Sequence, residues 1–490
     1  MSAPRPASLD QPSSVSHPDT DAGRPLTVRP GAPRSIASRL PTRAELRAML
    51  RLAVPVVVVQ VGLMGMGVAD TVMVGHLSPQ ALAATALGTL YFFVVAVFGM
   101  GTLMALDPVV AQGVGAGDRL AVARGVQRGL LLSLAISAII CVALLPAAAV
   151  LTAFRQPADV VPTAAAFVRA SIPGVLPFFL FVVFRQTLQA MERMRPIVLA
   201  IAGANLLNLA LNWVLIYGHA GAPALGAVGS AYASSASRWA MAAFLLALGW
   251  RQLRPLLVPF RRDALAVGSL LRMLRLGVPI GTQHVLEFGA FAVIALLMGY
   301  LGTVQMAAHE VAINLASLTF MVPHGVAAAA SVLVGHAVGR GDPVGARRSA
   351  LAAMVCGVGF MCLSAALFTL APRWLASLYT RDAGVLAVAA ALIPLAGVFQ
   401  VFDGLQAVSS GILRGVGDTR APMLINLLGF WLIGVPVSLL LAFRAGAGPE
   451  GLWWGLVAGL AAVGATVALR VRSRLGRELR RVVIDQDVAA

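Results

Sequence analysis

The chain has 490 residues, of which 59% are hydrophobic and only 12% charged, and its mean hydropathy is +0.86. Soluble chains are about 45–50% apolar and about 25% charged, so this balance excludes an ordinary soluble domain and defines a polytopic membrane protein, all-α in class. The net charge of +17 comes wholly from arginine, since no lysine occurs; those arginines lie between apolar runs, so no nucleic-acid partner is expected.

Residues 1–45 are rich in Pro, Ser and Arg and hold no apolar run, which predicts a disordered cytosolic tail. Twelve apolar segments then follow. The first six are predicted at 50–75, 80–106, 125–151, 162–184, 196–217 and 225–249. The second six are predicted at 274–300, 304–331, 349–371, 385–411, 421–443 and 450–470. The domain reading is a six-helix lobe at 46–250, a cytosolic linker at 251–272, a second six-helix lobe at 273–470 and a basic cytosolic tail at 471–490.

The two lobes are copies. Leu50-Arg51-Leu52-Ala53-Val54-Pro55 matches Leu274-Arg275-Leu276-Gly277-Val278-Pro279, and Val114-Gly115-Ala116-Gly117-Asp118 matches Val338-Gly339-Arg340-Gly341-Asp342, both at an offset of 224 positions. A constant offset across two helices and a loop defines an internal repeat with both copies in parallel. Internal repeats with sites near mid-membrane mark secondary transporters. Arginines such as Arg119, Arg124, Arg128, Arg347 and Arg348 crowd the loops after even-numbered spans, whereas the other side has Arg155, Arg373, Arg381 and Arg444. The excess of positive charge predicts that both termini are cytosolic.

Charged groups inside spans are costly, about 2.5–3.5 kcal/mol at the bilayer centre on insertion scales, so each is a candidate for function. Asp70, Glu287 and Asp403 lie deep in their spans. Glu310 and Asp107 lie near span ends, where an interfacial carboxylate is ordinary. Protonation and cation binding compete for one negative site, and that competition is a physical basis for exchange. Gln283 and His284 share a helix face with Glu287, Gln406 follows Asp403 by three, and Asn208 and Asn212 recur at i, i+4. Such an Asn stripe also serves simply to join helices by hydrogen bonds. Arg238, in mid-span, pairs with a carboxylate, snorkels, or signals a misplaced span edge. Pro55 lies on the same span as Asp70 and is a candidate hinge.

Several motifs fail. His309-Glu310 opens like a zinc-protease motif, but Ile313 stands where the second histidine belongs. There is no lysine for a nucleotide loop, and Cys141, Cys356 and Cys362 lie in apolar segments without metal spacing. No enzyme activity, cofactor or bound metal is expected, and the energy source is an ion gradient.

Four passages together resemble the multidrug and toxic compound extrusion (MATE) transporters, in their NorM-like bacterial branch. They are MGVADTVMVGHL near Asp70, GVPIGTQHVLEFGAF around Glu287, the span 8 run AAHEVAINLASLTFMVPHGVAAAASVLVGHAVGRGD, and FQVFDGLQAVSSGILRGVGDTRAP around Asp403. The resemblance covers about residues 46 to 440. It implies two six-helix lobes around a V-shaped cavity, and export of organic cations against entry of Na⁺ or H⁺. It assigns cation coupling to Glu287 and Asp403, a proton or substrate-charge site to Asp70, and polar cavity support to Asn208 and Asn212. Gln283, His284, Gln406 and Glu310 are added as further cavity support from their positions. Two positions depart from the family's pattern: Phe399 replaces a tyrosine, removing a possible Na⁺ ligand, and Glu310 replaces a glutamine.

The expected protein is a monomeric, multi-pass antiporter of the bacterial inner membrane whose partners are bilayer lipid and small organic cations. The alternatives are a flippase of lipid-linked oligosaccharides or a metabolite exporter of the same plan. A flippase should show a cluster of buried basic residues.

Overall fold

A computed structural model describes residues 41–485. Twelve long helices follow one another in the order the apolar runs predict. They are α1 (Arg43–Gly75), α2 (Pro79–Gly115), α3 (Arg119–Leu144), α4 (Val161–Ala190), α5 (Met194–Tyr217) and α6 (Gly226–Leu248), then α7 (Val267–Leu301), α8 (Thr303–Gly339), α9 (Pro343–Leu370), α10 (Ala383–Gly415), α11 (Arg420–Arg444) and α12 (Gly448–Gly476). Eleven are long and apolar enough to cross a bilayer; α6 is of similar length but less apolar, because it carries four serines and Arg238.

The predicted edges move outward at the arginine-rich face. α1 begins at Arg43, inside the stretch read as tail, because Thr42 and Glu45 form a reciprocal capping box. Residues 1–40 of that predicted tail lie outside the described residues. α7 begins at Val267 and takes in Arg272 and Arg275, so part of the predicted linker is helical. The rest of the linker holds a short helix, Trp250–Leu257, and a 3₁₀ turn, Arg262–Leu265. α12 runs to Gly476 before the basic tail begins.

The repeat governs how the lobes meet. α1 packs on α8, and α7 packs on α2. A Cβ on Gly101 of α2 would strike the backbone of Gly281 on α7, and one on Gly325 of α8 would strike Val57 on α1. Gly325 follows Gly101, and Gly281 follows Val57, by the same 224 positions. Small residues let membrane helices approach closely enough for dispersion contacts to hold them, which is why both seams carry glycine.

Further ties lie on the arginine-rich face. Gln112 on α2 donates to Gly415 O on α10 at 2.9 Å, and His336 Nε2 on α8 is 2.7 Å from Ala190 O on α4. The residues after α12 fold back over the first lobe: Arg481 pairs with Asp118 at 2.9 Å, and Asp485 pairs with Arg128 at 2.6 Å and Arg124 at 3.3 Å. At the opposite face no hydrogen bond joins the lobes among the described residues. The molecule is thus pinned at one face and parted toward the other.

Candidate functional site

Between the lobes lies a cavity of about 350 Å³. Its wall is mainly apolar, with Phe93, Phe178, Phe288, Met100 and Met104 prominent, and Gln283, His284, Glu287 and Gln406 are among its polar groups. Such a wall offers adaptable apolar contact with few fixed hydrogen-bond demands.

The second lobe's carboxyls lie one at this wall and one behind it. Glu287 on α7 lines the cavity and interacts with the Gln406 side chain of α10. Asp403, one turn before Gln406, is 6% exposed and feels the charge of Glu287. Its Oδ1 has no hydrogen-bond partner, and neither does Gln406 Oε1. Gln406 donates to Asn426 Oδ1 at 3.3 Å, which turns its oxygen free. Buried oxygens without donors cost free energy unless a proton or cation fills the gap. Gln283 reaches Ser410 at 3.5 Å, and His284 presents a buried, unpartnered Nε2. Gln400 sits behind, accepting from Thr319 at 2.8 Å and Ser364 at 2.9 Å. Phe399 packs edge-on against Phe291 at 5.9 Å and Trp453 at 5.7 Å, inside an aromatic cluster.

The first lobe's carboxylate is held differently. Asn212 Nδ2 donates to Asp70 Oδ1 at 2.6 Å, Asn208 Nδ2 to the same oxygen at 3.2 Å, and Ser234 Oγ to Oδ2 at 2.5 Å. The i, i+4 spacing of the asparagines on α5 aims both at one acceptor. Arg238, four residues past Ser234 on α6, is near enough to exert its field on Asp70. Its guanidinium lies 4.2 Å from the Phe92 ring centre and 5.6 Å from that of Phe178, so a carboxylate and two aromatic faces together accommodate this mid-span charge.

Two predicted positions stand apart. Glu310 is exposed, bonded to Asn314 at 3.3 Å, and does not line the cavity. α1 passes through Pro55 without a break.

The cavity floor was not legible in advance. Asp107, read as an ordinary interfacial residue, is 2% exposed and lies 3.4 Å from Arg414 of the other lobe. Arg185 shares its field and donates to Gln60 at 3.1 Å. The predicted spans stopped at 184 and 411, which assigned Arg185 and Arg414 to loops; both are helical and line the cavity. Hydropathy alone ends a span at the first charge, and the partner that makes these charges tolerable is more than 300 residues away for Arg414.

Two repeated six-helix lobes around a cavity with buried polar groups in an apolar wall define a membrane transporter of the internal-repeat type. A MatE family model matches residues 55–214 and 279–440, one match in each lobe, and the chain belongs to this family, in its NorM-like branch. It is 38% identical over 448 residues to the "Probable multidrug resistance protein NorM" of Rhizobium meliloti (strain 1021), a match spanning 89% of this chain and 94% of that one. It is 38% identical over 433 residues to the "Multidrug resistance protein NorM" of Burkholderia vietnamiensis, spanning 86% and 92%. The crystal structure of the eukaryotic MATE transporter AtDTX14 superposes with a TM-score of 0.80 at 22% identity, over 88% of this chain and 99% of that one, a likeness of fold.

Proposed function

We propose that this protein is a multidrug efflux antiporter that exports organic cations by alternating access, driven by entry of Na⁺ or H⁺ at Glu287 and Asp403. The observation that carries the reading is the carboxyl of Glu287 at the cavity wall with that of Asp403 within its field behind, the latter with a buried oxygen that has no partner. A cation or proton arriving there neutralises one charge and relieves the other. The apolar wall takes the drug, and competition for the negative charge couples the two fluxes. With the positive-inside rule the pinned face is cytosolic, and the arrangement faces outward. The relatives' names point the same way. The cell of action is the bacterial inner membrane, with the monomer as the working unit and Pro55 as a hinge of α1.

The buried arginines do not favour a flippase. Among the described residues, Arg414 is engaged by Asp107, Arg185 by Gln60 and Arg238 by aromatic rings, so each has a partner within the protein and only Arg185 and Arg414 reach the cavity.

Reconstituted protein loaded with a fluorescent organic cation tests the reading. Efflux should follow an imposed Na⁺ or pH gradient, and should fall at least tenfold in Glu287→Gln and in Asp403→Asn. Efflux that ignores both gradients would refute antiport.

A further inference from the structure

A second recess, of about 690 Å³, lies outside the transport cavity on the arginine-rich face and shares no lining residue with it. It is enclosed by the end of α2, the start of α3 and the helix Trp250–Leu257. Three arginines, Arg119, Arg251 and Arg261, border it, and no carboxylate does. None of the three makes an ion pair among the described residues, although nearby Arg124 and Arg128 are both paired to acids. The floor is apolar, with Val114, Leu120, Met191 and Leu256.

The site is rigidly built. Gln127, buried on α3, donates to the carbonyls of Leu256 and Pro259 at 3.0 Å each and accepts from the Arg261 amide at 2.9 Å. One side chain therefore fixes both the floor and the position of Arg261. Gln252, also lining the recess, keeps a buried Oε1 without a partner. The recess also sits at membrane-surface depth. Trp250, Val258 and Phe260 beside it are exposed, and an exposed tryptophan next to arginines on a short amphipathic helix is the pattern of a helix lying at the bilayer interface.

We infer that this recess binds the headgroup and upper acyl chains of an anionic phospholipid. Unpaired guanidiniums take the phosphodiester, the Gln252 oxygen takes a headgroup hydroxyl, and the apolar floor takes the chains. Charge complementarity selects the anionic class: a zwitterionic headgroup brings a cation into a rim with no acid to receive it.

The test uses the full-length protein, stripped of lipid in detergent and titrated with phosphatidylglycerol or phosphatidylcholine, with bound lipid counted by native mass spectrometry. Phosphatidylglycerol should bind in preference. The triple variant Arg119→Gln/Arg251→Gln/Arg261→Gln should bind it on the order of 100-fold more weakly, about fivefold for each arginine. Arg251→Gln alone, at an exposed position that leaves folding untouched, should lose about fivefold, and the triple lysine variant should keep most of the affinity. Equal binding of the two lipids, unchanged affinity in the glutamine variants, or equal loss in the lysine variant would overturn the site. Displacement by glycerol 3-phosphate at the lipid's own concentration would overturn the assignment to a lipid.

Discussion

Asp70 and the pair Glu287–Asp403 sit in matching halves of one repeated fold, yet their surroundings are opposite. Asp70 is met by three neutral donors on two neighbouring helices. Asp403 has a buried oxygen with no donor and a second carboxylate beside it. A carboxyl with its hydrogen bonds made has its oxygens satisfied by the protein; one without them has an acceptor left over for a proton or a cation. The repeat does not place them at matching positions: at its 224-residue offset Asp70 corresponds to Ile294, Glu287 to Leu63 and Asp403 to Phe179. The difference between the lobes, rather than their likeness, points to where an ion would act.

Stability measurements break or uphold this contrast most directly. Asp70→Ala strands the donors of Asn208, Asn212 and Ser234, and should cost about 1–3 kcal/mol, read as a clear fall in Tm of the purified protein. Asp403→Ala removes a buried oxygen that has no partner and should leave Tm unchanged or raise it. Equal losses in both variants would mean that the two sites do not differ in kind.

The seams offer a second, smaller contrast. Val57 occupies in the first lobe the place that Gly281 holds in the second, and a Cβ at Gly281 meets Phe98 O. Gly281→Val should part α7 from α2 and lower efflux several-fold, whereas Val57→Ala should change it little. Unaltered efflux in Gly281→Val would show that this seam need not stay closed.

The smallest effect belongs to the loop aspartates. Asp118 and its repeat partner Asp342 each cap a helix, at Ala121 N and Gly345 N, but only Asp118 also holds Arg481. Burial works against its charge, yet the Ala121 amide and Arg481 outweigh it and hold Asp118 below the usual carboxylate value of 3.8. A depressed value means that the stabilisation is complete above the unfolded pKa and disappears as pH falls through the lower folded one. Arg481→Gln should therefore cost about 0.2–1 kcal/mol at pH 7 and at pH 5 alike, with the gap from wild type closing only below about pH 4. A gap that closes between pH 7 and pH 5 would point to a different titrating group.

Eleven of the twelve helices were legible as long apolar runs and α6 as a weaker one, and the repeat because short motifs recur at one offset. The Asp70 cluster was half legible: i, i+4 asparagines announce a shared acceptor, but Ser234 gives no signal until α6 lies beside α5. The floor formed by Asp107, Arg185 and Arg414 escaped because each charge sits at a span end, where hydropathy reads it as a loop. Only tertiary contact turns those three into one buried group. Glu310 misled for the converse reason: its place near a span end says nothing of which way it points.

That floor has an electrical consequence. Two guanidiniums and one carboxyl leave a surplus positive charge where Arg185 and Arg414 line the cavity, and the low dielectric there magnifies it. Under the proposed coupling, a cation that reaches Glu287 would meet this positive wall beyond it. On the proposed antiport reading, that charge would make the junction between the lobes a rectifier, which gives an ion a seat and no way through and so keeps the gradient from draining across a resting protein.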